Sequence, residues 1–185
     1  MAQTHKNQKL EADLAAMLGR AFPGITVEVG HHDRWQQMAV TFCWAGFVDL
    51  LPEERFRRLV NVIPEEFRKS RTEGLIWLEL APSESVDEFL KLPRSEDVAD
   101  REAEIYSDLV RMGFFDRLGK SLGPSPEQGC SGGFAQTVEV LSTKGYPPAK
   151  ICDAKLVFIR HGAYCDCQVL QSVRAVLAEL HTGAA

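Results

Sequence analysis

The chain has 185 residues, enough for one sizeable domain or two small ones. Hydrophobic residues make up 45% of it and charged residues 25%, which is an ordinary globular composition. The net charge of −5 disfavours nucleic acid and anionic membranes as partners, unless a basic face is segregated from the acidic groups.

The start of the chain and its cysteine count indicate the cellular compartment. The first fourteen residues are polar and lack the apolar segment of a secretory signal, and the apolar runs are too short to span a membrane. Five cysteines, an odd number, argue against a framework of disulfides. These features predict a cytoplasmic protein.

The first two thirds of the chain alternate between helical and strand patterns. The spacing of apolar residues and the positions of Pro and Gly mark the elements. In chain order they are a helix over 7–21, a strand over 25–29, a loop over 30–37, a strand from Met38 to Val48 with a bend at Ala45 and Gly46, a helix over 51–70 interrupted by Pro64, a strand over 75–80, a short helix after a capping box of Ser85 and Glu88, and a helix over about 96–118.

Two basic clusters stand out in the predicted helix over 51–70. They cover residues 55–59 and 67–71, and glutamates precede each of them. Acidic and basic side chains at such spacing pair along the surface of a helix. We therefore interpret both clusters as a solvated helix face.

The order helix, strand, strand, helix, strand, helix predicts an α+β fold, with a small sheet and helices packed on one of its faces. Over about residues 8–92 this order resembles the BolA-like fold. BolA proteins carry a histidine near the third strand that is tied to iron–sulfur partnership with glutaredoxins. The matching stretch here, residues 73–80, has no histidine, so the resemblance implies the fold and not that function.

A stretch rich in Gly, Pro and Ser predicts a domain boundary. It serves as a linker over 121–129 between an α+β domain over 1–120, whose residues 93–120 form a helical extension, and a helical module over 130–185. In that module we predict a helix over 133–144 and a helix after Cys165 with Asp166 as its N-cap. The segment between them fits a helix or a short strand, and we favour a helix because Pro147-Pro148 suits its start and Gly162 its C-terminal cap.

The second module contains a recognisable pattern over residues 129–177, carried by Cys130, Thr137, Gly162 to Leu170 and Ser172-Val173. This pattern resembles an uncharacterised bacterial domain family, which has an early cysteine, a threonine soon after it, and a glycine-rich step into a Cys-Asp-Cys-Glu-Val run. Two positions depart from the family, because Gln168 replaces a glutamate and Gly132 stands where a histidine is often found. The resemblance implies no reaction.

The cysteines of this module are candidate metal ligands. Zinc takes four tetrahedral ligands, usually thiolates and imidazoles. Cys130, Cys152, Cys165 and Cys167 form a possible set, with His161 as a substitute for Cys152. Residues two apart in a regular helix point about 200° apart, but at a helix start they can reach one ion. A helix N-terminus also favours the thiolate form.

Two other interpretations of the cysteines remain open. Unpaired cysteine is among the most buried residue types, and Cys43, in a predicted strand, fits that description. Cys165 and Cys167 are also compatible with a redox-active pair. The usual zinc spacing, with two residues between cysteines, does not occur in the chain.

Two further patterns favour ordinary loops over sites. Ser131 lies in a Gly-x-Ser-x-Gly pattern, but the strand that a nucleophile elbow needs does not precede it. His31, His32 and Asp33 offer ligand and base groups in what reads as a solvent-exposed loop. No nucleophile and base are recognisable as a constellation.

Three hypotheses of function follow from these patterns. The first is a non-enzymatic accessory or interaction protein with a protein partner and a structural zinc ion. The second is a thiol-redox or iron–sulfur accessory protein that uses Cys165 and Cys167. The third is an enzyme with a cleft between the two modules, where His31, His32 or His161 would act.

Overall fold

The computed structural model of this protein describes residues 2–182, which divide into two compact units after Pro93. The first unit combines helices with a small sheet, and the second is helical. This confirms the predicted α+β fold class. Within residues 2–182 there is no helix with the length and apolar character needed to cross a membrane.

The first unit follows the predicted order of helices and strands. Its elements are α1 (Ala2–Leu18), β1 (Thr26–His32), β2 (Gln37–Cys43), a 3-10 turn (Ala45–Phe47), α2 (Pro52–Val60), α3 (Glu65–Phe67) running into a π-helical turn (Arg68–Thr72), β3 (Ile76–Leu80) and α4 (Val86–Phe89).

The three strands form a mixed sheet in the order β1-β2-β3. β1 pairs antiparallel with β2, with Val29 opposite Val40, and β2 pairs parallel with β3, with Val40 opposite Trp77. A parallel pair needs a crossover connection, which α2 and α3 provide. Leu10, Leu14 and Leu18 of α1 are buried in the same apolar cluster as Val29 and Val40, as their spacing predicts.

The segment around the paired histidines differs from the prediction. The sequence predicts a loop over 30–37, but β1 continues through His31 and His32, which pair with Met38 and Gln37. The turn is confined to residues 33–36, and Gln36 has a positive φ of 52°. Cross-strand backbone hydrogen bonds extend the hairpin over residues whose own preferences favour a loop.

The first basic cluster, residues 55–59, is only partly the solvated face that we predicted. Arg55 is 2% exposed, and both of its terminal nitrogens bond the Glu84 carboxylate. Its Nη1 also donates to the carbonyl of Glu79 at 2.6 Å. The prediction considered pairing along the helix alone, whereas the partner of Arg55 comes from the segment after β3.

The second unit is built from helices and turns. Its elements are a 3-10 segment (Ser95–Arg101), α5 (Glu102–Arg111), α6 (Phe114–Leu122), α7 (Pro126–Gly129), α8 (Ala135–Thr143), α9 (Pro148–Arg160), α10 (Asp166–Gln168) running through a π-helical turn (Val169–Val173), and α11 (Arg174–Thr182). The stretch for which the sequence favoured a helix over a short strand is helix α9.

The division between the units falls earlier than the predicted linker over 121–129. Residues 94–120, assigned by sequence to the first domain, belong to the second unit because their apolar side chains are buried there. The ring of Phe114 stacks on Phe158 of α9 with 5.5 Å between centroids. The glycine-rich stretch is itself packed: a β-carbon at Gly129 would lie 2.5 Å from the carbonyl oxygen of Leu122.

Candidate metal centre

Three of the predicted metal ligands come together in the second unit. The Sγ atoms of Cys130, Cys165 and Cys167 all lie within 4.8 Å of one another. The two sulfurs of Cys165 and Cys167 are 3.3 Å apart, and all three residues are partly buried. Such a group of thiols could hold a metal ion.

The backbone at the start of α10 explains why Cys165 and Cys167 reach the same point. Cys165 is extended, with φ −158° and ψ 163°, and the helix begins at the next residue. In a regular helix the two side chains would diverge by about 200°. The extended conformation of Cys165 removes that divergence, so the spacing of two is compatible with a shared ion.

Asp166, between the two cysteines, caps a different helix from the one that we predicted. The N-cap of α10 is Cys165. The Asp166 carboxylate instead accepts hydrogen bonds at the start of α8, from the backbone N–H of Gln136 and of Thr137, both at 2.9 Å. The Thr137 hydroxyl donates a third, at 2.6 Å. The carboxylate therefore satisfies N–H groups that the helix leaves without partners.

The loop that carries Cys130 is tied to the same helix start. Cys130 follows α7, and the chain reaches α8 through Gly132, which has a φ of 81°, and Gly133. The carbonyl of Gly133 accepts a hydrogen bond from the backbone N–H of Asp166 at 3.0 Å. Backbone and side-chain bonds of Asp166 thus hold the cysteine loop against α10.

The protonation of the three thiols is interdependent. Burial favours the neutral thiol at Cys130, but backbone N–H groups of Cys167 and Gly132 and the neighbouring thiols outweigh it, so the Cys130 pKa falls below its ordinary 9.0. Burial raises the pKa of Cys165, and the charge on Cys130 adds to that effect. Burial and both neighbouring cysteines raise the pKa of Cys167 to about 12. A bound cation would offset the repulsion that opposes full ionisation.

Gln168 occupies the position where the resembled family has a glutamate. Its side-chain oxygen accepts a hydrogen bond from the backbone N–H of Tyr164 at 2.8 Å. The amide oxygen therefore braces the segment that enters α10, a contact that a carboxylate oxygen could equally accept.

The other two predicted ligands are not members of the thiol group among the described residues. Cys152 lies on α9 and is partly buried. His161, just after α9, places Nε2 3.0 Å from Oε2 of Glu102. No disulfide occurs within residues 2–182.

The environment of Glu102 is a buried polar cluster that the sequence did not reveal. Its two carboxylate oxygens each lie 3.0 Å from an imidazole Nε2, one of His161 and one of His181. Nε of Arg160 lies 3.1 Å from the same carboxylate, and the His181 ring packs 5.3 Å from that of Tyr106. Histidine near the end of a chain gives no sequence signal of a partner 79 residues away.

The weaker candidates lie in exposed positions, except His32, which is partly buried. Ser131 is exposed in the loop before α8, and the residues ahead of it form α7 instead of a strand. His31 Nδ1 lies 3.7 Å from Asp33 Oδ1 at the end of the hairpin, and the Asp33 side chain is fully exposed. Neither segment has the arrangement of a buried catalytic site.

Comparisons with known proteins leave the family of this chain open. No model of a protein family, no curated protein and no solved structure matches it significantly. The resemblances to the BolA-like fold and to the bacterial domain family therefore stay predictions. The feature that bears on function is the thiol group of the second unit.

Proposed function

We propose that the second unit binds one zinc ion through Cys130, Cys165 and Cys167, and that the ion holds the cysteine loop to the start of α10. The convergence of three thiols within 4.8 Å carries the proposal. In this reading the chain is an accessory or interaction protein whose second unit is stabilised by metal.

The chemistry of the donors favours a thiophilic ion. Thiolate ligands select Zn²⁺, Cu⁺ and iron–sulfur clusters over Mg²⁺ and Ca²⁺, which prefer oxygen. With Zn–S bonds of about 2.3 Å, tetrahedral ligation separates the sulfurs by about 3.8 Å. This lies between the 3.3 Å that separates Cys165 from Cys167 and the 4.8 Å limit of the group, so small side-chain rotations suffice.

The expected effect on the fold follows from the positions of the ligands in the chain. Cys130 and Cys165 are distant in sequence, so a shared ion closes a loop that contains α8 and α9. Closing such a loop removes conformational freedom from the unfolded chain. Because an unfolded chain does not offer a preformed site, the free energy of metal binding becomes free energy of folding.

The proposal is tested by elemental analysis of the full-length protein, purified with a phosphine reductant and no added chelator. We expect about one zinc per chain, and a chelator should release it together with three reactive thiols. Serine variants of Cys130, Cys165 or Cys167 should lose the zinc. Matched controls are Cys152→Ser in the same unit and Cys43→Ser in the first, and both should retain it. Absence of zinc from protein supplied with the ion would refute the proposal.

A thiol-redox function is the second candidate, and the 3.3 Å between the sulfurs of Cys165 and Cys167 favours it. With a small disulfide such as oxidised glutathione, two cysteine thiols would give one protein disulfide and two molecules of reduced glutathione. The same samples separate the two functions. Metal-free protein that loses two thiols per chain and releases two glutathiones would support redox chemistry, and a coloured, iron-containing protein would support the iron–sulfur alternative.

A further inference from the structure

We propose that the metal ion at Cys130, Cys165 and Cys167 keeps one coordination position open to solvent and binds a small external thiolate there. This inference rests on the proposed function, because it concerns the same ion. It follows from the positions of the other acidic and imidazole groups of the second unit, which bind partners away from the three sulfurs.

Asp166 is the acidic residue nearest in sequence to the site, and it is committed elsewhere. Its side chain is fully buried. Oδ2 accepts from the backbone of Gln136, and Oδ1 accepts both from the backbone and from the hydroxyl of Thr137. Turning the carboxylate toward the sulfurs would break all three of these hydrogen bonds and leave the two buried donors of Thr137 without a partner, so the carboxylate stays with α8.

The histidines of the second unit lie against Glu102 and outside the thiol group. His181 Nε2 is hydrogen-bonded to Oε1 of Glu102 at 3.0 Å, and His161 Nε2 lies 3.0 Å from Oε2 without the geometry of a hydrogen bond. Within residues 2–182, the group of His, Cys, Asp and Glu donors around the sulfurs contains three cysteines and excludes Cys152. The sequence outside the described side chains, residues 1–4 and 182–185, contains no Cys, His, Asp or Glu.

The site is also accessible from outside. All three cysteines retain partial exposure, and Ser131 and Gly132 beside Cys130 are exposed. A β-carbon at Gly132 would meet no atom within 4 Å beyond its two neighbours in the chain. Three protein ligands with an accessible fourth position is the arrangement of zinc sites that bind exchangeable ligands, whereas purely structural sites have four protein ligands.

The thiophilic character of the metal ion selects the class of ligand for the open position. A metal already held by three thiolates belongs to the thiophilic ions, for which sulfur is a preferred donor. Coordination also deprotonates a bound thiol outright, so a small monothiol would arrive as the neutral form and remain as thiolate after its proton passes to solvent. The site would thereby hold a low-molecular-weight thiol in its nucleophilic form.

Cobalt substitution tests the open position, because Co²⁺ occupies zinc sites and its visible spectrum reports ligand number and type. The full-length protein, freed of thiol reductant and loaded with Co²⁺, is titrated with 2-mercaptoethanol. We expect saturation at one thiol per cobalt and a rise of about one third in sulfur-to-cobalt charge-transfer intensity, as four thiolates replace three. Cys152→Ser and His161→Gln should give the same starting spectrum and the same titration.

The outcomes separate this inference from the proposed function. Cobalt that binds but whose spectrum is unchanged by the thiol overturns the open position and leaves the metal site intact. A starting spectrum altered in Cys152→Ser or His161→Gln also overturns it, because the chain then supplies the fourth ligand. Failure of cobalt and zinc to bind at all refutes the metal site itself.

Discussion

The Asp166 carboxylate accepts two hydrogen bonds from Thr137 on one oxygen, from the hydroxyl at 2.6 Å and from the backbone N–H at 2.9 Å. Both residues are fully buried. Since Asp166 lies between Cys165 and Cys167, this anchor fixes the backbone from which both thiols project. The cap of α8 and the geometry of the thiol group are therefore one structural feature.

We expect Asp166→Asn to weaken both functions of that anchor. The amide can accept from Thr137 with its oxygen, but its NH₂ group then faces the backbone N–H of Gln136, donor against donor. The second unit should lose about 1 to 3 kcal/mol of stability. Zinc affinity should fall about 10- to 100-fold, as for other residues that orient metal ligands.

Urea unfolding and competition with a chromophoric chelator measure these two effects. All three tyrosines lie in the second unit and all three tryptophans in the first, so tyrosine emission and helical circular dichroism can be compared with tryptophan emission to assign a transition. Asp153→Asn is the matched control, because its partner Arg101 is about half exposed and such pairs contribute little. Equal losses in the two variants would contradict the anchoring role.

Zinc should stabilise the second unit by mass action. At a free concentration 100 times its dissociation constant, a ligand specific for the folded state adds about 2.7 kcal/mol to the free energy of unfolding. Calorimetry should therefore show that the unfolding temperature of the second unit rises with zinc concentration. The shift should vanish in Cys165→Ser and persist in Cys152→Ser. A shift of equal size in both variants would place the responsible ion elsewhere.

The stability of the second unit should also depend on pH through Glu102. Burial acts to raise the pKa of this carboxyl, but His161 and His181 lower it by more, so it lies below its ordinary 4.5. A depressed carboxyl pKa stabilises the fold above the unfolded value of 4.5 and ceases to do so as the pH falls through the folded value. Nε of Arg160 places a positive charge 3.1 Å from the same carboxylate, and Glu96 pairs with that arginine.

Glu102→Gln isolates this effect. Unfolding in urea, followed by tyrosine emission with a chelator present, should show the variant less stable than the unaltered protein near pH 7 and the difference shrinking below pH 4.5. Glu104→Gln is the control, because that residue is exposed on the same helix. A difference between Glu102→Gln and the unaltered protein that stays constant with pH would argue against a role for the ionised carboxylate.

Local patterns carried the sequence predictions that succeeded. The leucine stripe of α1 is buried as its spacing indicates, and the backbone N–H of Glu88 lies 3.3 Å from the Ser85 hydroxyl in the expected capping box. Cys165 and Cys167 come together because a helix starts between them. Each of these features is decided within one or two turns of chain.

Long-range partners account for most of what the sequence did not reveal. Asp166 is a residue type typical of N-caps, but its carboxylate accepts hydrogen bonds from the start of α8, about thirty residues earlier in the chain. His181 and Glu102 pair across most of the second unit. Residues 94–120 belong to the second unit through packing such as that of Phe114 on Phe158, which is distant in sequence. Such a contact leaves no local pattern in the sequence, whereas the run of Gly and Pro does and therefore drew the predicted boundary to 121–129.

Substitution of Arg55 should destabilise the first unit strongly, because its guanidinium is buried although arginine is usually exposed. It donates to the carbonyls of Leu50 at 2.9 Å and Glu79 at 2.6 Å, and it bonds both oxygens of Glu84. Arg55→Met leaves the Glu84 carboxylate without its cation, and we expect the first unit to lose about 3 to 5 kcal/mol. Tryptophan emission during urea unfolding measures that loss.

A double variant and a surface control test whether the loss of stability in Arg55→Met comes from the buried pair with Glu84. Arg55→Met with Glu84→Met removes both charges, so its loss should be smaller than the sum of the two single losses. Lys69→Met breaks an exposed helical pair with Glu65 and should cost less than about 0.5 kcal/mol. If Arg55→Met lost no more stability than Lys69→Met, the buried pair of Arg55 with Glu84 would be refuted. The guanidinium would then be solvated, as the interpretation of residues 55–59 as a solvated helix face predicts.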